Sequence, residues 1–227
     1  MPPAFAAPRA ILKPNAGESE PQPDCIFCPR LVSYRQGNRA AFPDWFNAPV
    51  PSFGPIDAAL LIVGLAPGLK GANRTGRPFT GDYAGNLLYA TLLKFGFASG
   101  TYKQRVDDGL LLINCRITNA VRCAPPQNKP RPDEISACGG FLSATIREMP
   151  HVHAILALGK IAFDATLHAL GEPRQKFAHG AEINLQGDCK MFGSYHCSRQ
   201  NTNTGRLTAE MFDHIFERIA AHVARAS

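Results

Sequence analysis

Short runs of wholly apolar residues alternate with amphipathic stretches along this chain, and glycine- and proline-rich loops separate them. Ala59–Val63 is apolar at every position and stops at Gly64, the pattern of a strand buried on both faces. From Ala84 to Gly96, Leu87, Leu88, Thr91, Leu92 and Phe95 recur at helical spacing, and Gly96 is the stop. Leu110–Val121 contains a second strand, LLIN, with an irregular continuation, CRITNAV. Pro132 opens a helix to about Met149, whose first turn holds Asp133 and Glu134, where the helix dipole favours acidic groups. His153–Leu158 reads as a third strand and Lys160–Leu170 as the helix after it. Ala181–Tyr195 predicts a hairpin whose second arm, KMFGSYH, gives a fourth sheet strand. A last helix spans about Thr208 to Ala224, with Met211, Phe212, Ile215, Ile219 and Val223 on one face. Strands alternating with helices predict an α/β fold with a mainly parallel sheet covered on both sides.

Ligands of such sheets bind beyond the carboxyl ends of the strands. Three unusual stretches, 64–86, 114–128 and 195–206, each follow a strand candidate and are expected to converge on one edge. The first, Gly64–Gly85, carries six glycines and two prolines, so its backbone amides can approach a ligand closely. It lacks both the Gly-Lys-Ser/Thr and the GxGxxG spacing of nucleotide-binding loops. Within it, Phe79 offers a face for a planar base, or simple packing. Asp82 offers a carboxylate, or only a helix N-cap. In the second stretch, the amide of Asn119 can both donate to and accept from a base edge; a self-satisfied turn is the plainer role. In the third, His196 follows a strand and can donate to a departing oxygen, though most histidines do nothing of the kind. Arg199 and Arg206 lie in a polar run suited to phosphates, with solvated arginine as the default.

Composition narrows the setting. The chain has 227 residues, enough for one α/β domain with its own core, and no apolar run reaches bilayer length. Prolines interrupt the N-terminal MPPAFAAPRAILKPN where a signal peptide needs an unbroken apolar helix. Residues 1–24 read as a flexible lead-in and 25–227 as a single domain. Seven cysteines, an odd number, argue against a secreted disulfide framework and for a reducing, cytoplasmic setting. Cys115, Cys189 and Cys197 read as buried free thiols. The net charge of +6 is compatible with a polyanionic partner. Oligomeric state leaves no trace in the sequence, and monomer is the default.

Cys25, Cys28, Cys123 and Cys138 are the remaining four cysteines. A C-x2-C turn aims two thiolates at one point, and a distant pair can complete a tetrahedral sulfur site. Zinc and an iron–sulfur cluster both accept four thiolates, so sulfur count leaves the occupant open.

Taken together, these segments resemble the iron–sulfur-containing uracil-DNA glycosylases, most closely family 5 of that superfamily. The resemblance spans about residues 25–220. It rests on Cys25-x2-Cys28, GLAPG at 64–68, ANRTGRPFTGD at 72–82, ITNAVRCAPPQNKP at 117–130, Cys138 and YHCSRQNTNTGRLT at 195–208. It implies a three-layer α/β/α sandwich around a four-stranded sheet, and a [4Fe–4S] cluster on Cys25, Cys28, Cys123 and Cys138, with zinc as the alternative. It implies a monofunctional DNA-repair glycosylase that extrudes a deaminated base from DNA and hydrolyses its N-glycosidic bond. Uracil is the first expected base, with hypoxanthine, xanthine or etheno-adducts beside it. By resemblance Asp82, His196 and Asn119 are catalytic. Gly64, Ala66, Pro67, Gly68, Phe79, Asn119 and His196 hold the base. Arg199, Gln200, Asn201 and Arg206 are expected to meet DNA, from their place behind His196. Ala66 stands where family 4 has glutamate, which favours family 5. Two residues depart from the pattern: Cys197 replaces the proline after the histidine, and Ala84 replaces a common serine. The alternatives are a non-catalytic DNA-binding or redox-sensing iron–sulfur protein and a zinc-stabilised nucleoside hydrolase.

Overall fold

The first apolar run lies inside the sheet. In a computed structural model, which describes residues 19–226, helix α1 (Pro29–Ala41) precedes strand β1 (Leu60–Gly64), buried at all five positions. Next come α2 (Ala72–Thr75), α3 (Tyr83–Lys94), β2 (Ala98–Ser99), β3 (Leu111–Leu112) and β4 (Cys115–Asn119). Then follow α4 (Pro132–Glu148), β5 (Ala154–Leu158), α5 (Lys160–Leu170), β6 (Glu182–Asn184), β7 (Lys190–Ser194), α6 (Arg199–Asn203) and α7 (Ala209–Ala226).

The main sheet has the order β4-β1-β5-β7-β6. Its first four strands are parallel, and β6 pairs antiparallel with β7 at the far edge. The expected four-stranded sheet is therefore five-stranded, because the first arm of the predicted hairpin joins it. Alternate side chains of each strand face opposite ways. On one face Leu60, Ile62, Ile117, Leu156 and Phe192 pack with Leu88 and Leu92 of α3 and Phe212, Phe216 and Ile219 of α7. On the other, Leu61, Val63, Ile155 and Met191 meet Leu142 and Ile146 of α4 and Ala162 and Phe163 of α5. This is the three-layer α/β/α arrangement. Among the described residues no helix is long and apolar enough to cross a membrane.

The structure corrects the expected strand LLIN. Leu111–Leu112 pairs with Ala98–Ser99 in a separate two-stranded ribbon, and Asn114 turns the chain with φ 51°. Asn114 Oδ1 accepts from the Ala59 amide at 2.6 Å, so this turn also fixes the start of β1. The sheet strand is the stretch read as irregular, CRITN. Its polar Arg116 and Thr118 hide it: β4 is an edge strand, and both side chains reach the segment that covers it, Arg116 to the Gly54 carbonyl and Thr118 to Ser52 at 3.1 Å.

Of the lead-in read over 1–24, residues 1–18 lie outside the described residues. Ser19–Asp24 are bonded to the body rather than free. Glu20 pairs with Arg122 at 2.9 Å and Arg116 at 3.3 Å, and Asp24 pairs with Arg39 at 2.6 Å. Arg122 is fully buried and also donates to Ser52, Thr145 and the Ser19 carbonyl, so this segment satisfies a buried charge.

Candidate active site

A cavity of about 320 Å³ opens beyond the carboxyl ends of β1, β4 and β7. Its walls include Ala66, Pro67, Gly68, Phe79, Asp82, Asn119 and His196, so the three predicted stretches do converge. Tyr83, Asn128, Ser198 and Arg199 complete much of the rim.

The first loop is held in shape from below. Arg77 makes a two-pronged pair with Asp108 at 2.9 and 2.8 Å, and its Nε donates to Thr80 at 2.7 Å. Phe53, Tyr89 and Tyr102 surround the guanidinium, with ring centroids 5.3–5.9 Å away. Burial opposes the charge on Asp108, but Arg77 and the Lys103 and Leu110 amides outweigh it and hold the carboxyl well below its ordinary range. On this base Phe79 adopts φ 54°, a left-handed conformation costly for an aromatic residue. The Tyr102 hydroxyl donates to the Phe79 carbonyl at 2.9 Å. A Cβ at Gly85 would stand 1.8 Å from that carbonyl, so only glycine fits there.

Asp82 serves as the cap and still reaches the cavity. It is the N-cap of α3, accepting from the Gly85 amide at 3.3 Å, and it also lines the cavity. Burial raises its pKa above the ordinary value, while the Gly85 and Ala84 amides pull the other way. A Cβ at Gly71 would come within 2.5 Å of Asp82 Oδ2, so that glycine makes room for the carboxylate.

Asn119 ends β4 beside Gly64 and is 3% exposed. Among the described residues its side-chain amide has no hydrogen-bond partner, and it lies at the cavity wall. Gly64 does not itself line the cavity. A Cβ there would meet Asn119 Oδ1 at 2.4 Å and the Phe79 ring at 2.7 Å, so it serves by letting these two close up. The imidazole of His196 packs against Phe79, ring centroids 5.9 Å apart. Burial pushes its pKa down to about 4, which leaves it neutral at pH 7.

The residues assigned to DNA separate. Arg199 lines the cavity mouth and Gln200 is exposed. Arg206 lies over the Tyr195 ring at 4.6 Å, outside the cavity. Asn201 turns inward and donates to the His196 carbonyl at 2.8 Å, which makes it a support for the histidine turn. Sequence reading missed this, as it missed Tyr83 and Asn128. No sequence signal marks Asn201, because its bond to His196 forms only when α6 folds back over the turn.

Cys25, Cys28, Cys123 and Cys138 line a second, largely apolar cavity with Phe27, Leu31 and Phe141. The Arg122 amide donates to Cys138 Sγ at 3.3 Å and Arg35 to Cys123 Sγ at 3.5 Å. Burial, reinforced by the neighbouring sulfurs, pushes the Cys28 thiol up to about 12. Among the described residues no group of three or more His, Cys, Asp or Glu side chains is arranged to hold a metal ion.

A family profile for the uracil DNA glycosylase superfamily matches residues 51–220. A type-5 uracil-DNA glycosylase of Thermus thermophilus is 47% identical over 196 residues, covering 83% of this chain and 89% of that one. This chain belongs to the uracil-DNA glycosylase superfamily, on its type-5 branch. A type-5 uracil-DNA glycosylase of Pyrobaculum aerophilum is 40% identical over 87% of this chain and 88% of its own length. A type-4 uracil-DNA glycosylase of the same organism is 32% identical over 73% of this chain and 68% of its own. In this member of the superfamily Ala66 brings no carboxylate to the cavity, and Asp82 is the acidic residue in its wall. At both departures from the pattern, local contacts to the site residues are present. Cys197 is fully buried, and the turn that carries His196 is held by Asn201 and by Ser198, whose hydroxyl accepts from the Asn201 amide. Ala84 lacks a hydroxyl but keeps its amide directed to Asp82.

Proposed function

We propose that this chain removes uracil from DNA by hydrolysing the N-glycosidic bond, leaving an abasic site, and that it takes other deaminated or etheno-modified bases into the same cavity. The observation that carries this reading is one cavity walled by an aromatic ring, a free amide, a neutral imidazole and a half-buried carboxyl group. A base within a duplex is out of reach, so the nucleotide is extruded before chemistry. Phe79 stacks on it, a contact worth about 1–3 kcal/mol. Asn119, whose amide is unspent, reads an adjacent carbonyl and N–H together. Bond breaking builds positive charge on the sugar and negative charge on the departing base. Asp82 stabilises the first and orients or deprotonates the attacking water. His196, neutral, donates to the second, with amides of the 64–68 loop beside it. Among the described residues no lysine lines the cavity, in keeping with base removal without strand cleavage.

The same proposal assigns Cys25, Cys28, Cys123 and Cys138 to a [4Fe–4S] cluster. Four thiols on one apolar cavity, two of them already accepting N–H donors, support it. Hydrolysis moves no electrons, so the group's contribution is cross-linking: it ties α1 to the segment that follows β4 and hence to Asn119. Iron and acid-labile sulfide in purified protein test this assignment, and stoichiometric zinc in colourless protein contradicts it. DNA is the proposed partner, through Arg199, Gln200 and Arg206, in a cytoplasmic setting.

The activity is tested by incubating the protein with oligonucleotides that each carry one lesion, then cleaving abasic sites with alkali. Strand breaks at uracil are expected. DNA binding with every base left in place would instead support a non-catalytic binding protein. Asn119→Ala is expected to change the ranking among lesions, and an unchanged ranking would make Asn119 structural.

A further inference from the structure

Asp82 and His196 sit on separate elements, and one contact at the cavity mouth bridges those elements. Tyr83 follows Asp82 and opens α3; Arg199 lies three residues after His196 and opens α6. The Arg199 guanidinium carbon stands 5.1 Å from the Tyr83 ring centroid, and the Tyr83 hydroxyl is 3.4 Å from Asn203 Oδ1. Both Tyr83 and Arg199 line the cavity, and Tyr83 is 38% exposed.

Three other cations of the described residues lie over rings, and of these only Arg206, outside the cavity, likewise pairs with no carboxylate. Arg77 spends its N–H groups on Asp108 and Thr80, and Lys94 spends its ammonium on Asp213. Among the described residues Arg199 pairs with no carboxylate, and the ring of Tyr83 is the contact that orients its side chain. A guanidinium resting on an aromatic face keeps its planar fork of donors, which matches the oxygens of a phosphate. Stacking also reduces the rotamer freedom lost when that fork is used. A nucleotide drawn into the cavity must bring its flanking phosphate past this mouth.

We propose that Tyr83 and Arg199 form one phosphate clamp, in which Arg199 grips the backbone of the extruded nucleotide and Tyr83 is a positioning residue that aims it. This rests on the glycosylase reading above. It also separates Arg199 from Arg206, which leans on Tyr195 outside the cavity and is not coupled to Tyr83.

The test measures Kd for a uracil-containing duplex across a salt series, in an Asp82→Asn background so that the base stays attached. Arg199→Ala is expected to weaken binding about 10-fold or more and to lower the slope of log K against log salt by about 1. Tyr83→Ala is expected to weaken binding several-fold, and Tyr83→Phe, which keeps the ring, to restore most of it. The Tyr83→Ala/Arg199→Ala double variant should bind no more weakly than Arg199→Ala alone, whereas Tyr83→Ala and Arg206→Ala should add. Unfolding midpoints close to the parent establish that each variant is folded. Additive losses for Tyr83 and Arg199, or parental binding by Tyr83→Ala, would overturn the clamp. Release of uracil by the wild-type chain in the same buffer is read separately: its absence overturns the glycosylase reading, and its presence alongside additive losses overturns the clamp alone.

Discussion

In the proposed reaction two titratable residues carry most of the chemistry, and burial pushes their pKa values in opposite directions. Burial raises Asp82 and lowers His196 to about 4, so the imidazole is neutral at pH 7. Asp82→Asn should lower uracil release by about 10²–10⁴-fold while DNA affinity is kept, measured by single-turnover assay and anisotropy. Wild-type turnover in that variant would remove Asp82 from the mechanism. For His196 the folded pKa lies below the unfolded value, so the unfolded chain binds more protons between those limits. Stability is therefore expected to be lost as pH falls from about 6.5 to about 4, and His196→Gln should flatten that part of the unfolding profile. An unchanged profile would mean that the ring is charged or solvated in the native state. At this scale the sequence was half legible. A carboxylate after a glycine-rich loop suggested a cap or a catalyst; Asp82 is the cap and also lines the cavity, where the proposed mechanism uses it. Nothing in the sequence marked Asn201 as a support for His196, because that hydrogen bond exists only once α6 has folded back.

Elements place these groups by ending where chemistry is needed. Gly64 and Asn119 are paired terminal residues of β1 and β4, and β7 stops two residues before His196. A buried ion pair props the loop between β1 and α3. The Asp108 side chain is shielded from solvent against Arg77, itself nearly buried, and removal of one partner leaves a charge without compensation. Asp108→Ala is expected to cost about 3–5 kcal/mol in denaturant unfolding and to lower activity through Phe79. A loss below about 1 kcal/mol would show that water reaches Arg77. Elements with purely apolar strands or a one-sided apolar stripe were readable: β1, β5, α5 and α7 lie where the pattern put them. Those whose buried face is polar were not. Helix α1 buries Arg35 and Asn38 with Leu31, and β4 carries Arg116 and Thr118 under covering chain, so neither shows an apolar period.

At the scale of the molecule, the parallel sheet gathers segments more than a hundred residues apart onto one edge, and the four cysteines gather a second set behind it. Alternation of strands and helices foretold the edge, since ligands of such sheets bind there. It did not foretell that β6, the first arm of the predicted hairpin, joins the sheet, or the docking of Ser19–Asp24, which depends on a buried arginine no pattern reveals. The arrangement is complete only if a nucleotide leaves its helix and enters the cavity. The most direct test is a crystal structure of Asp82→Asn bound to duplex DNA with a single uracil. The base is expected outside the stack, against Phe79, with its edge on the Asn119 amide and the glycosidic carbon facing residue 82. A uracil still stacked in the duplex, or held away from these side chains, would contradict the account.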